Sequence, residues 1–199
     1  MDLEILRNAM NPVQVTRQYP AIKRLLSGIL FLVVSALPGN VSDSSAEKLL
    51  SREYRLKAAY LYNFAKFIEW PEETFPNKDT PMTLAVLGAD PFGGHLSVIE
   101  SRTIKGRKVR VQYFKSLKEL EFCHLLFINA PDSEHLARAF NALKGLSVLT
   151  VGEMRGFSES GGMIQLLKRK NRIYFRINRA AAERSRLTIS PILLKVAVQ

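Results

Sequence analysis

Three short runs constrain the fold more than any other feature of this chain. Leu84-Ala85-Val86-Leu87, Leu125-Leu126-Phe127-Ile128 and Val148-Leu149-Thr150-Val151 are almost unbroken in apolar residues. A strand with one wet face alternates polar and apolar side chains. A run this short and this apolar is covered on both faces, as parallel strands are in a sheet with helices on either side. The segments around these runs agree. Residues 82–87 read as a strand, 91–100 as a short helix, 108–114 as a strand, 117–122 as helical, 125–129 as a strand, 133–143 as a helix and 148–151 as a strand. Strands that alternate with helices pair in parallel through right-handed crossovers. Val109, Val111 and Tyr113 alternate with Lys108, Arg110 and Gln112, which makes that strand the expected edge.

The C-terminal third reads differently. After Gly161-Gly162, residues 163–167 and 172–177 flank the basic turn 168–171, the pattern of an antiparallel hairpin. Asn178 can cap a helix over 179–186, and Ser190-Pro191 supplies a cap and a first-turn proline for a last helix over 192–198. The expected class is α/β: a three-layer sandwich with a mixed, mostly parallel sheet of about six strands and a C-terminal antiparallel hairpin.

Ahead of the sheet, residues 47–69 have helical periodicity. Leu56, Tyr60, Phe64 and Phe67 recur at spacings of four and three and fall on one face, with Arg55, Tyr62, Lys66 and Glu69 opposite. The pattern predicts an amphipathic docking helix ended by Trp70-Pro71, because proline disfavours helical geometry in the residue before it.

The N-terminus carries a targeting pattern. Residues 25–37 (LLSGILFLVVSAL) are apolar, preceded by Lys23 and Arg24 and followed by Pro38-Gly39, the layout of a secretory signal. The run is shorter than the roughly 20 apolar residues that cross a bilayer, so export and cleavage is preferred over a permanent anchor. Ser44 and Ala46 offer a cleavage site that would leave a mature domain over 47–199, with residues 1–46 as signal and short linker; Val34 and Ala36 offer a second site. Met10 is an alternative start, since residues 10–24 hold Arg17, Lys23 and Arg24 and no acid.

The chain has a formal charge of +11. Residues 1–46 contribute four of the 29 bases and three of the 18 acids, so the remainder still carries ten more bases than acids. In an exported protein such charge more often meets anionic lipid or an acidic protein surface than nucleic acid. Cys123 is the only cysteine, which excludes an intramolecular disulfide, and its setting between Phe122 and His124-Leu125-Leu126 predicts a buried thiol.

Catalytic templates find no match. His95, His124 and His135 sit apart without metal-ligand spacing and read as surface or supporting histidines. The turn Gly88-Ala89-Asp90-Pro91-Phe92-Gly93-Gly94 follows a strand, as a phosphate-binding loop does, but lacks the glycine spacing of one. Glu72 and Glu73 lie in a polar loop with nothing to fix them as a carboxylate pair. No catalytic residue, metal or cofactor is expected. A small-molecule pocket is conceivable in the crevice beyond the carboxyl ends of the strands, near Asp90, residues 129–132 and residues 152–155.

Two ordered segments resemble a known family. The first is Tyr60-Leu61-Tyr62-Asn63-Phe64-Ala65-Lys66-Phe67-Ile68-Glu69-Trp70-Pro71. The second runs from Gly161-Gly162-Met163-Ile164 through Ile173-Tyr174-Phe175-Arg176-Ile177-Asn178 and Ala181-Ala182 to Ile189-Ser190-Pro191-Ile192-Leu193-Leu194. Together they resemble the opening and closing motifs of the YfiR-like family. The resemblance implies a non-catalytic periplasmic protein that holds the periplasmic sensor domain of an inner-membrane diguanylate cyclase in a low-activity state. It also implies release by an outer-membrane sequestering protein, and homodimers. The type protein uses several cysteines, from which this chain departs with Cys123 alone. Restraint by a soluble partner is a difference in affinity for two receptor states, so it needs surface rather than a cleft. Two surfaces qualify: the exposed helix stripe (Arg55, Tyr62, Lys66, Glu69) and the basic hairpin (Arg172, Tyr174, Arg176).

Overall fold

The computed structural model describes residues 43–170 and 172–198, all within one unit, Asn40–Gln199. The signal reading and its cleavage sites up to residue 42 lie outside the described residues. The elements are α1 (Asp43–Lys66), β1 (Ile68–Glu69), β2 (Met82–Gly88), α2 (Ser97–Glu100), β3 (Thr103–Ile104), β4 (Arg107–Phe114), β5 (Leu125–Asn129), α3 (Ser133–Ala142), β6 (Leu149–Gly152), β7 (Ile164–Arg169), β8 (Arg172–Ile177), α4 (Arg179–Arg184), β9 (Thr188–Ile189) and α5 (Pro191–Val196).

Seven strands form the main sheet in the order β3-β4-β2-β5-β6-β7-β8. The four central pairings are parallel, while β3-β4 and β7-β8 are antiparallel. The three apolar runs take the middle of the sheet, where Leu84, Leu125, Phe127 and Val151 face one apolar cluster with α1, α4 and α5. Ala85, Leu87, Leu126 and Ile128 face a second cluster with α3. This is the expected sandwich, and the alternation of side chains along each strand makes its two interiors.

Several expectations shift in detail. The sheet has seven strands rather than about six, and β1 and β9 form a separate two-stranded ribbon. β4 is an edge except where β3 pairs with its first two residues. The helix expected over 91–100 is reduced to the four residues of α2, since Gly93 and Gly94 at φ +54° and +84° bend the chain first. The segment 117–122 forms only a 3-10 turn over Leu117–Glu119.

α1 stops at Lys66, not at Trp70-Pro71, because the chain must straighten to pair Ile68 with Ile189 and Glu69 with Thr188. Its buried face is rotated from the expected stripe. Lys57, Ala58, Leu61, Phe64 and Ala65 are buried, whereas Leu56, Tyr60 and Phe67 flank them half-buried. Tyr60 sits on this flank because its hydroxyl reaches out to donate to the Ile173 carbonyl at 3.2 Å. The hairpin and both C-terminal caps are as expected: Asn178 Oδ1 accepts from the Ala181 amide at 3.0 Å, and Ser190 Oγ from the Ile192 amide at 3.3 Å. No helix among the described residues is long and apolar enough to cross a membrane.

Candidate functional site

The two motif segments lie about a hundred positions apart in sequence and meet in space. Phe64 packs edge-on against Phe175 with ring centroids 4.9 Å apart, and Tyr60 stands 5.9 Å from the same ring. The Ser190 amide donates to the Phe67 carbonyl at 2.9 Å. Burying Phe64, Leu61 and Phe175 in this seam contributes on the order of 2 kcal/mol for each side chain.

Two further motif positions explain themselves sterically. Phe157 is fully buried between Gly152 and Gly162, and a Cβ at either glycine would overlap its ring. Gly161 has φ +111°, a conformation that side-chain-bearing residues avoid. Met163 and Ile164 are buried beyond it and Ile177 is half-buried, while Asn178 Nδ2 donates to the Ser158 carbonyl at 2.8 Å. Asn63 and Pro71 are half-buried. Most of the motif is therefore scaffold.

Trp70 serves the same end. Its Nε1 donates to the His124 carbonyl at 3.1 Å, which also accepts from the Leu149 amide at 2.8 Å. His124 is only 1% exposed rather than a surface histidine, stacked on Phe75 at 4.4 Å. Its Nδ1 accepts from the Thr83 amide at 3.1 Å, so the proton of the neutral ring sits on Nε2, 3.3 Å from the Thr74 carbonyl. Burial pulls its pKa down to about 4, reinforced by the nearby Arg107 guanidinium and opposed by the Thr74 contact. Cys123, beside it, is buried as expected, and burial pushes its thiol up to about 12. That thiol is not reactive in this state.

The crevice beyond the strand ends is covered on one side. One stripe of α1 lies in it: Tyr54 packs on Phe92 at 5.5 Å, Ser51 Oγ meets His95 Nε2 at 3.0 Å, and the Tyr54 hydroxyl donates to Glu153 at 2.7 Å. Lys57 is 3% exposed, bridges Glu53 at 2.6 Å and also contacts Glu153, and its ammonium lies 4.1 Å from the Tyr54 ring centre. Burial pushes the Glu53 carboxyl up, but hydrogen bonds from Lys168 and Lys57 outweigh it and hold the pKa below the ordinary range. Burial and then the Glu153 carboxylate push the Tyr54 hydroxyl up. Each charge here has a partner, and α1 covers the side of the strand ends marked by Phe92, His95 and Glu153. Sequence reasoning missed this network because a lysine at position 57 carries no mark of burial.

The expected contact residues separate into two groups. On α1, Arg55 and Lys66 are exposed, but Tyr62 donates to the Thr103 carbonyl at 3.0 Å, and Glu69 falls beyond the helix in β1, where it bridges Lys105 at 2.6 Å. That stripe is thus partly committed to internal contacts. On the hairpin, Ile173, Phe175 and Ile177 face the α1 cluster, so Arg172, Tyr174 and Arg176 face the other way. Across the register Arg169 lies opposite Arg172 and Leu167 opposite Tyr174. Neither Leu167 nor Tyr174 belongs to an apolar cluster, and Arg176 is held by Glu159 at 2.5 Å. Two arginines directly opposed on one sheet face repel, and among the described residues neither has an acid partner.

No group of three or more His, Cys, Asp or Glu side chains suited to a metal occurs among the described residues. Ser51 Oγ and His95 Nε2 pair at 3.0 Å, and among the described residues no carboxylate bonds that histidine to complete a triad. His135 pairs only with Asp132, at the N-cap of α3. A search of curated proteins gives no match. A family model described as YfiR/HmsC-like matches residues 54–198, which takes in both motif segments and every element from β1 to α5. With the second half of its opening helix, its closing hairpin and the seam between them inside that match, the chain belongs to the YfiR/HmsC-like family.

Proposed function

We infer that this chain is an exported regulatory binding protein that represses a membrane-bound diguanylate cyclase by binding its periplasmic sensor domain. Family membership supports a periplasmic regulator of diguanylate cyclase signalling. The observation that carries the choice of surface is the free face of the hairpin. Arg169 and Arg172 oppose each other there, beside a half-buried Tyr174 that packs on neither core. Opposed arginines cost stability in the free protein, and a carboxylate placed between them removes the repulsion. Such a face favours an acidic receptor segment, with Tyr174 as its aromatic anchor.

Repression follows if that segment is presented only in the inactive receptor conformation, because the regulator shifts the equilibrium by its differential affinity. An outer-membrane protein that covers the same face would release the cyclase, and a homodimer through it would compete. Export with removal of residues 1–46 belongs to the same proposal.

The test is binding of the purified receptor domain to Arg172→Glu and Tyr174→Ala variants. We expect affinity to fall by at least tenfold, about 1.4 kcal/mol or more, with the melting temperature unchanged. Unchanged affinity removes the hairpin face as the contact.

A further inference from the structure

α1 begins before its core contacts do, and residues 46–52 are all exposed. The hairpin runs beside this overhang. Lys168 Nζ reaches Glu53 at 2.5 Å, the Tyr60 hydroxyl reaches the Ile173 carbonyl at 3.2 Å, and Lys168 faces Ile173 in the ladder. Phe64 packs on Phe175, one same-face position farther from the tip than Ile173, so α1 advances toward the tip as it runs back from residue 64 to residue 60. The tip, bounded by Arg169 and Arg172, therefore lies toward the N-terminal end of α1.

Helix end and hairpin tip together make one pole of the domain. Five exposed bases lie there: Lys48, Arg52, Arg169, Lys170 and Arg172. None of them forms an ion pair among the described residues, and within 46–52 only Glu47 opposes them. Between them stand Leu49 and Leu50, 57% and 55% exposed and among the most exposed large apolar side chains described. Lys170 also holds a backbone φ of +54° that glycine adopts at less cost, so the turn keeps a base where conformation favours none.

We propose that this pole docks on an anionic phospholipid surface, with Leu49 and Leu50 at the headgroup boundary and the five bases on the lipid phosphates. Two projecting leucines flanked by Lys48 and Arg52 suit a fluid interface better than a rigid protein partner. Basic side chains around such residues give the charge-dependent part of interfacial binding. The proposal rests on export, and it would place the regulator beside a membrane-bound receptor with the hairpin face still free.

The test is co-sedimentation of the full-length gene product, in the form in which it accumulates, with two vesicle types. One is phosphatidylcholine alone and the other phosphatidylcholine mixed with phosphatidylglycerol. Binding to the anionic vesicles alone, lost at high salt, is expected. Arg52→Glu with Lys170→Glu, and separately Leu49→Ser with Leu50→Ser, should each weaken it by roughly tenfold or more without lowering the melting temperature. Equal binding to both vesicle types, which an uncharged run alone would give, overturns the proposal. So does failure to bind either type, and so do variants that leave anionic binding unchanged. If the same variants weaken only the complex with the receptor domain, the occupant is an acidic protein and the lipid assignment is wrong. The vesicles contain no protein, so the lipid result stands or falls independently of the hairpin-face reading.

Discussion

The two halves of α1 are one continuous helix held in two different ways. From Ala58 onward the helix is fastened by apolar packing: Leu61, Phe64 and Ala65 are buried against the sheet, and Phe64 meets Phe175. Before that point it is fastened by ions and hydrogen bonds, with Lys57, Glu53, Glu153, Tyr54 and Lys168 in one network and exposed residues beyond it. Apolar burial is non-directional and belongs to the cooperative core, whereas a polar latch can open locally while the core stays intact. The contrast teaches where this protein can afford to change. Its second half sets stability, and its first half can serve a surface.

The largest effect should come from the apolar half. Phe64→Ala leaves a cavity in the seam and should cost about 4 kcal/mol. For a domain of this size that lowers the melting temperature by roughly 12 °C. A loss below about 1 kcal/mol in denaturant unfolding would mean that the seam does not carry the fold and would erase the contrast.

Next comes the anchor at the exit of α1. The His124 pKa is depressed to about 4, so the folded state keeps the ring neutral while the unfolded chain takes up a proton below about 6.5. In that window the unfolded state binds more protons, and stability is therefore full above pH 6.5 and lost as pH falls toward 4. The loss can reach about 3 kcal/mol, at about 1.4 kcal/mol per pH unit. Protonating Nδ1 would remove the Thr83 bond and set the new N–H against the Thr83 N–H, donor to donor. Urea unfolding at pH 7 and pH 5 should show the fall, and His124→Asn should flatten it. A wild-type midpoint independent of pH over this range would refute the assignment.

The ionic half should respond less and locally. Lys57→Met removes the shared cation, but Glu53 keeps Lys168 and Glu153 keeps Tyr54. The expected cost is about 2 kcal/mol, below the usual range for breaking a fully buried pair. Hydrogen exchange should speed up in the amides before residue 58 and leave those at 61–65 near the wild-type rate. Uniform acceleration along the whole helix would show that both halves open together.

The same contrast explains what could be read from sequence. Leu125 to Ile128 announced a strand covered on both faces because four consecutive apolar residues have no other economical place in a short segment. The caps at Asn178 and Ser190 were legible because each lies immediately before the elements it starts. β1, β3 and β9 were not, since two residues carry no period and their pairings are set by tertiary contact. The buried face of α1 was misplaced for a chemical reason. Tyr60 counts as apolar in a pattern yet spends its hydroxyl at the rim, while Lys57 counts as polar and is buried with its counter-charges. Of the candidate contact surfaces, the alternation along Arg172, Tyr174 and Arg176 marked a face, but only the register revealed Arg169 opposite Arg172.

The smallest effect is the most discriminating. Lys168 is half exposed and reaches Glu53 from the hairpin, so Lys168→Ala should change global stability by under about 0.5 kcal/mol, as exposed ion pairs generally do. The apolar seam stays intact in this variant, because the change removes an exposed side chain and leaves Leu61, Phe64 and Phe175 in place. What it loses is the clasp between the helix overhang and the hairpin tip. Exchange at residues 50–56 should therefore rise about twofold at low salt, and by less when salt already screens the pair in the wild type. An equal rise at all salt concentrations would mean that Lys168 acts by packing its stem rather than by charge, and the first half of α1 would then be held like the second.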